Sequence, residues 1–155
     1  MPLDIAFVVD ASGSVGMRSF QVVKTFLKEF TRYFNVSGNE THFACLHYDH
    51  RIFEDFSFND TEFYDPVALE NKIGNMTYPK GATLTDKALR RAETFYWTDN
   101  GARDYHYIPR CLLVLTDGRT YLGKKQLIPP VKSLKVPCLQ LAIQSLPNYH
   151  KSLTN

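Results

Sequence analysis

The chain has 155 residues, of which 44% are hydrophobic and 22% charged, with a formal net charge of +2. That length makes one domain with a sizeable core. The small and evenly mixed charge offers no basic face for nucleic acid or for an anionic membrane, and no apolar run approaches the roughly 20 residues that span a bilayer.

No signal peptide precedes the first strand, and Met1-Pro2 running at once into a buried strand reads as the start of an excised piece or of an incomplete gene model. Ile5 to Val9 is a continuous apolar run with β-branched residues, which suits a strand covered on both faces, and it ends on a carboxylate, Asp10. Asp10-Ala-Ser12-Gly-Ser14 follows, then Val15-Gly16. In a tight loop after a strand, alternate side chains converge on one point, and one carboxylate with two hydroxyls makes a set of hard oxygens suited to Mg²⁺ or Mn²⁺ rather than zinc. Gly13 lets the backbone bend there without steric cost. The alternative is ordinary capping, with Ser12 or Ser14 at the start of the next helix and Asp10 a strand-end polar residue.

Apolar residues at Phe20, Val23, Phe26, Leu27, Phe30 and Phe34 have helical spacing and predict an amphipathic helix from about Met17 to Phe34. Residues 35–40 read as an exposed loop. Two strand-like runs, HFACLHY and RIFEDFSF, are separated only by Asp49 and His50, so they form an antiparallel hairpin. In the second run Ile52, Glu54, Phe56 and Phe58 alternate against Phe53, Asp55 and Ser57, and its charges suit an edge strand. Asp65-Pro66 is a helix start, with Asp65 as cap, and that helix runs to about Ile73 before Gly74-Asn75.

The loop from Tyr78 to Asp86 carries Thr83 and Thr85 and leads into a helix with Ala88, Leu89, Ala92, Phe95 and Tyr96; taken alone, either threonine reads as its cap. Residues 98–105 are polar and read as a loop. A second buried strand runs from Ile108 and ends at Thr116-Asp117-Gly118, again in a carboxylate. Beyond it come a polar loop to Lys125, a helix candidate over Gln126–Lys135 weakened by Pro129-Pro130, a last apolar strand over Val136–Ile143 and a tail.

Four N-x-S/T sequons, at Asn35, Asn39, Asn59 and Asn75, all fall in predicted loops or at a helix end and point to an extracellular, glycosylated protein. Cys45, Cys111 and Cys138 lie in strand-like runs and read as buried thiols, although one bridge with an odd cysteine left over is also open. The five histidines are scattered, and His47 and His50 in the hairpin read as surface or core residues.

Buried strands alternating with helices imply an α/β fold: a doubly wound, mostly parallel open sheet with one antiparallel edge strand and helices on both faces. Ligands of such sheets sit beyond the carboxyl ends of the strands where strand order reverses. If the strands ending in Asp10 and Asp117 are neighbours there, both carboxylates meet the hydroxyls of Ser12, Ser14 and Thr83.

With these residues in place the chain resembles the von Willebrand factor type A domain, the family of integrin inserted domains and many matrix proteins, over nearly its whole length. The motifs that carry the resemblance are Asp10-Ala-Ser12-Gly-Ser14, Gly81-Ala-Thr83-Leu-Thr85 and Thr116-Asp117-Gly118, in the family's order. The resemblance implies a metal-ion-dependent adhesion site of Asp10, Ser12, Ser14, Thr83 and Asp117 holding Mg²⁺ or Mn²⁺, in a non-enzymatic extracellular module that binds an acidic residue of a protein partner, such as collagen or another matrix protein. Two departures stand out. Asp86 occupies a position where glycine is common, and the chain ends soon after residue 143, where the family usually adds a sixth strand and a terminal helix. The expected organisation is thus a single domain over 1–155 lacking those elements, to which an affinity switch based on the terminal helix does not carry over. Residues expected on the rim of the site are Arg18, Asp86, Arg119 and Tyr121. Two other functions compete. One is structural assembly of the matrix. The other is a serine hydrolase, because Ser12-Gly-Ser14-Val-Gly16 approximates a nucleophile elbow and Ser14, Asp117 and His150 fall in hydrolase order; against it stand Ser12 in place of the first glycine, the short chain and an idle Asp10.

Overall fold

The computed structural model describes residues 1–117 and 138–143. At its centre lies β1 (Asp4–Asp10), a strand buried at all 7 of its positions. Its side chains alternate between two cores. Ile5, Phe7 and Val9 face one, while the smaller Ala6 and Val8 face the other. This is the two-sided burial that the unbroken apolar run requires.

The first core is closed by α1 (Met17–Thr31), through Phe20, Val23 and Leu27, and by α2 (Pro66–Gly74), through Leu69 and Ile73. The second is closed by α3 (Thr85–Thr94), through Ala88, Leu89 and Ala92, and by a π-helical turn (Phe95–Asp99) that inserts Phe95 and Tyr96. The small alanines let α3 approach the strands closely, and the buried Tyr96 hydroxyl donates to the Phe7 carbonyl. The π turn takes up the start of the segment read from sequence as a loop over 98–105.

Beside β1 lie β2 (His42–Tyr48) on one side and β4 (Arg110–Thr116) on the other, both parallel to it. With β3 (Ile52–Phe56) antiparallel on β2 and β5 (Cys138–Ile143) parallel on β4, the order is β3-β2-β1-β4-β5. The chain therefore winds outward from β1 to β3, returns, and resumes on the far side of β1. Strand order reverses between β1 and β4, the pair whose carboxyl ends carry Asp10 and Asp117.

Several boundaries differ from expectation for physical reasons. The first helix stops at Thr31, and Arg32, Tyr33 and Phe34 continue in tighter i to i+3 turns. A 3₁₀ turn (Thr61–Tyr64) precedes α2, whose cap is Asp65 as expected, with its side chain accepting from the Ala68 amide at 2.8 Å. In β3 the expected alternation breaks. The register slips between Cys45 and Leu46, leaving Asp55 as the extra residue, so Ile52 packs toward the α3 core while Phe56 enters the α1 core. The polar segments at 118–137 and 144–155, including the helix candidate over Gln126–Lys135, lie outside the described residues.

At the end of the sheet opposite the carboxylate-bearing one, Asp4 is fully buried and receives the Arg103 side chain at 2.9 and 2.7 Å and its amide at 2.7 Å. Arg103 also donates to the carbonyls of Leu3 and Glu40. This pair ties the polar loop before β4 to the start of β1.

Candidate metal centre

Asp10 is the last residue of β1 and is only 2% exposed. Its Oδ1 accepts the Ser12 amide at 2.9 Å, an Asx turn that folds the chain back over the strand end. Its Oδ2 accepts the Thr116 hydroxyl at 2.9 Å, which joins the ends of β1 and β4. The same turn brings the hydroxyls of Ser12 and Ser14 to 3.1 Å from each other, with Ser12 buried and Ser14 exposed. The capping alternative does not hold. The residue before α1 is Gly16, at φ 81°, and no side chain caps the helix, so both serine hydroxyls stay with the Asp10 turn.

The loop before α3 docks directly on this turn. Gly13 donates its amide to the Gly81 carbonyl at 2.8 Å, and Lys80 donates to the Ala11 carbonyl at 3.3 Å. The Tyr78 hydroxyl donates to the Ser12 carbonyl at 2.9 Å and accepts the Gly16 amide at 3.0 Å, clamping both ends of the serine loop. Thr83 follows, buried, one residue before Leu84, whose amide reaches the Asp49 carbonyl at 3.3 Å. Neither Thr83 nor Thr85 caps α3; the Thr85 hydroxyl instead accepts from the buried Tyr48 at 2.9 Å. The glycine on which the docking turns is Gly81 rather than Gly13. A Cβ at Gly81 would collide with the Asp49 carboxylate and the His50 ring, whereas one at Gly13 would meet only ordinary contacts of 3.5 Å and beyond.

Asp117 follows β4 directly, partly exposed and close enough for its charge to act on Asp10. Burial pushes the Asp10 carboxyl above the ordinary carboxylate range, and the charge of Asp117 adds to this, while hydrogen bonds from Ser12 and Thr116 oppose it. The Ser12 amide and the Thr116 hydroxyl bring no positive charge to offset the buried anion. A divalent cation would do so, and the surrounding oxygens suit a hard one. Among the described residues no three His, Cys, Asp or Glu side chains gather around one point, so a cation here rests on carboxylates and neutral hydroxyls.

Of the expected rim, Arg18 is exposed on the first turn of α1, and Asp86 lies in the first turn of α3, with a buried Oδ1 that has no hydrogen-bond partner. Arg119 and Tyr121 lie outside the described residues, as does His150. The Ser14 hydroxyl pairs with Ser12, a partner that carries no base. Unexpected rim residues come from the β2–β3 hairpin. Buried Asp49 holds Arg51 at 3.1 Å and His50 at 3.3 Å, both of them about half exposed, with His50 beside Gly81. Burial pushes the Asp49 carboxyl up, but the hydrogen bonds from Arg51 and the neighbouring charges of Arg51 and His50 together hold it below its usual range. The hairpin was legible in sequence; its placement beside the second loop was not. All four sequon asparagines, Asn35, Asn39, Asn59 and Asn75, are exposed, and Cys45 is buried.

Comparison with known proteins agrees with this architecture. The model of the von Willebrand factor type A domain matches residues 4–150. The chain is 30% identical over 118 residues to the collagen alpha-6(VI) chain of Mus musculus, covering 76% of the chain but 5% of that protein. The chain thus spans a small part of the curated relatives it matches. Among solved structures, proximal thread matrix protein 1 from the mussel byssus, with a zinc-occupied MIDAS motif, superposes with a TM-score of 0.70 at 23% identity, over 91% of this chain and 35% of the other. Manganese-loaded TRAP protein of Plasmodium vivax superposes with a TM-score of 0.75 at 19% identity, over 91% and 56%. The chain belongs to the von Willebrand factor type A domain family.

Proposed function

We propose that this chain is a non-enzymatic extracellular adhesion module, a single domain over 1–155, that holds Mg²⁺ or Mn²⁺ through Asp10, Ser12, Ser14, Thr83 and Asp117 and binds an acidic side chain of a protein partner. The observation that carries the reading is the buried Asp10 carboxylate, fixed by Ser12 and Thr116, raised by burial and joined by a second carboxylate at the point where strand order reverses. The metal-loaded structures of similar fold support it, and so does the kinship with a collagen VI chain.

The division of labour follows from burial. Asp10 and Ser12 are fixed from below by the sheet, whereas Ser14 faces solvent on the side a partner approaches. A bound cation supplies a coordination position that a carboxylate oxygen of the partner fills. The exposed guanidinium groups of Arg18 and Arg51 favour an acidic partner and raise its encounter rate. In the same reading Arg119 and Tyr121 belong to the rim, and a matrix protein such as collagen is the class of partner. Collagen VI kinship also favours a second reading, in which the domain assembles the matrix with copies of itself.

A binding screen against immobilised matrix proteins in Mg²⁺ and in chelator tests the proposal. Binding should vanish with chelator and on neutralising one acidic residue of the partner. Binding that survives both contradicts metal-mediated docking, and self-association alone selects the assembly reading.

A further inference from the structure

Between the β2–β3 hairpin and the C-terminal end of α2 lies a cavity of about 340 Å³, lined by His47, Phe53, Asp55, Lys72, Asn75 and Thr77 among others. It shares no lining residue with the candidate metal ligands. Its inner wall is built: His47 is 2% exposed, stacks on Phe53 with ring centroids 4.6 Å apart at 5°, and holds Asp55 through Nδ1 at 2.7 Å. The other ring nitrogen, Nε2, is buried and has no hydrogen-bond partner. The opposite wall is the sequon Asn75-Met76-Thr77, all three residues of which line the cavity, with Asn75 itself exposed.

We infer that Asn75 carries an N-linked glycan whose first N-acetylglucosamine lies in this cavity against the β2–β3 hairpin. The sugar is tethered to the wall it must fill, and the volume falls within the range of small-ligand pockets. Its hydroxyl and acetamide groups can pair with Lys72 and Asp55 of the lining. The attachment is redox-neutral. Asn75 Nδ2 loses a proton and bonds to the sugar C1, while the C1–O bond to a lipid-linked diphosphate donor breaks and the diphosphate leaves with the electron pair. Seated there, the glycan covers the face of the hairpin that carries Phe53 and Asp55. The inference rests on the extracellular reading of the domain.

The test is expression behind a secretion signal in a eukaryotic host, glycopeptide mass spectrometry at the four sequons, and a time course of endoglycosidase digestion on the native protein. Asn75 should be occupied, and its glycan should be released at least tenfold more slowly than any glycan at Asn35, Asn39 or Asn59, a difference abolished by denaturation. Hydrogen exchange at the amides of Phe53 to Phe56 should quicken several-fold in both Asn75→Gln and Thr77→Ala. A bare Asn75 beside an occupied sequon elsewhere overturns the inference and leaves the extracellular reading standing, whereas four bare sequons overturn both. Release from Asn75 as fast as from the other sites overturns the seating in the cavity.

Discussion

The Tyr78 hydroxyl bridges the two ends of the serine loop, donating to the Ser12 carbonyl at 2.9 Å across 66 residues of sequence while accepting the Gly16 amide at 3.0 Å. The oxygens that would face a cation are therefore held in place by a residue that offers none itself. Such positioning lowers the entropy lost when a ligand set closes on an ion.

Tyr78→Phe removes both hydrogen bonds and keeps the ring against Phe20, 5.3 Å away between centroids. Two such bonds contribute about 1–3 kcal/mol. The variant should stay folded, lose part of that stability in denaturant titration, and bind Mg²⁺ about tenfold more weakly by calorimetry. Unchanged affinity would show that the loop needs no clamp.

Arg103→Ala provides the contrast. It leaves the fully buried Asp4 without its guanidinium partner at the far end of the sheet. Removing one partner of a buried pair costs about 3–5 kcal/mol. Stability should fall by that order while metal affinity in the folded protein is unchanged, so calorimetry should separate the two variants, with affinity lost in the Tyr78 variant and kept in the Arg103 variant.

The raised pKa of Asp10 fixes a sign for pH dependence. In the metal-free domain the folded state holds this proton more tightly than the unfolded chain, whose value is about 3.9. That contribution to stability is complete below the unfolded value and is lost as pH rises through the folded one. A cation takes the proton's place, and at about 100 times its dissociation constant adds about 2.7 kcal/mol. The gap between melting temperatures in Mg²⁺ and in chelator should widen from pH 4 to pH 7. A constant gap would mean that the cation binds away from Asp10.

Much of this was legible in sequence because the signals are local. The run from Ile5 to Val9 could be covered on both faces only in a sheet flanked by helices, and two such strands ending in aspartate implied a shared crevice. The slip in β3 was hidden because strict alternation through Phe56 and Phe58 looks the same with or without one extra residue. Tyr78, Thr116, His50 and Arg51 were missed as parts of the site for another reason. Their roles depend on how loops far apart in sequence dock, and a tyrosine or an arginine in a polar loop carries no mark of what it will reach. Gly13 drew attention through its place in the motif, whereas the close approach is at Gly81, where only the fold brings Asp49 and His50 near.

The most direct measurement is an anomalous difference map from a crystal of the domain grown with Mn²⁺, paired with the same map for Asp10→Ala. The account predicts one strong peak among the side-chain oxygens of Asp10, Ser12, Ser14, Thr83 and Asp117 in the natural sequence and none there in the variant, whose fold is otherwise unchanged. A peak elsewhere, or no peak at this site at millimolar Mn²⁺, would contradict it.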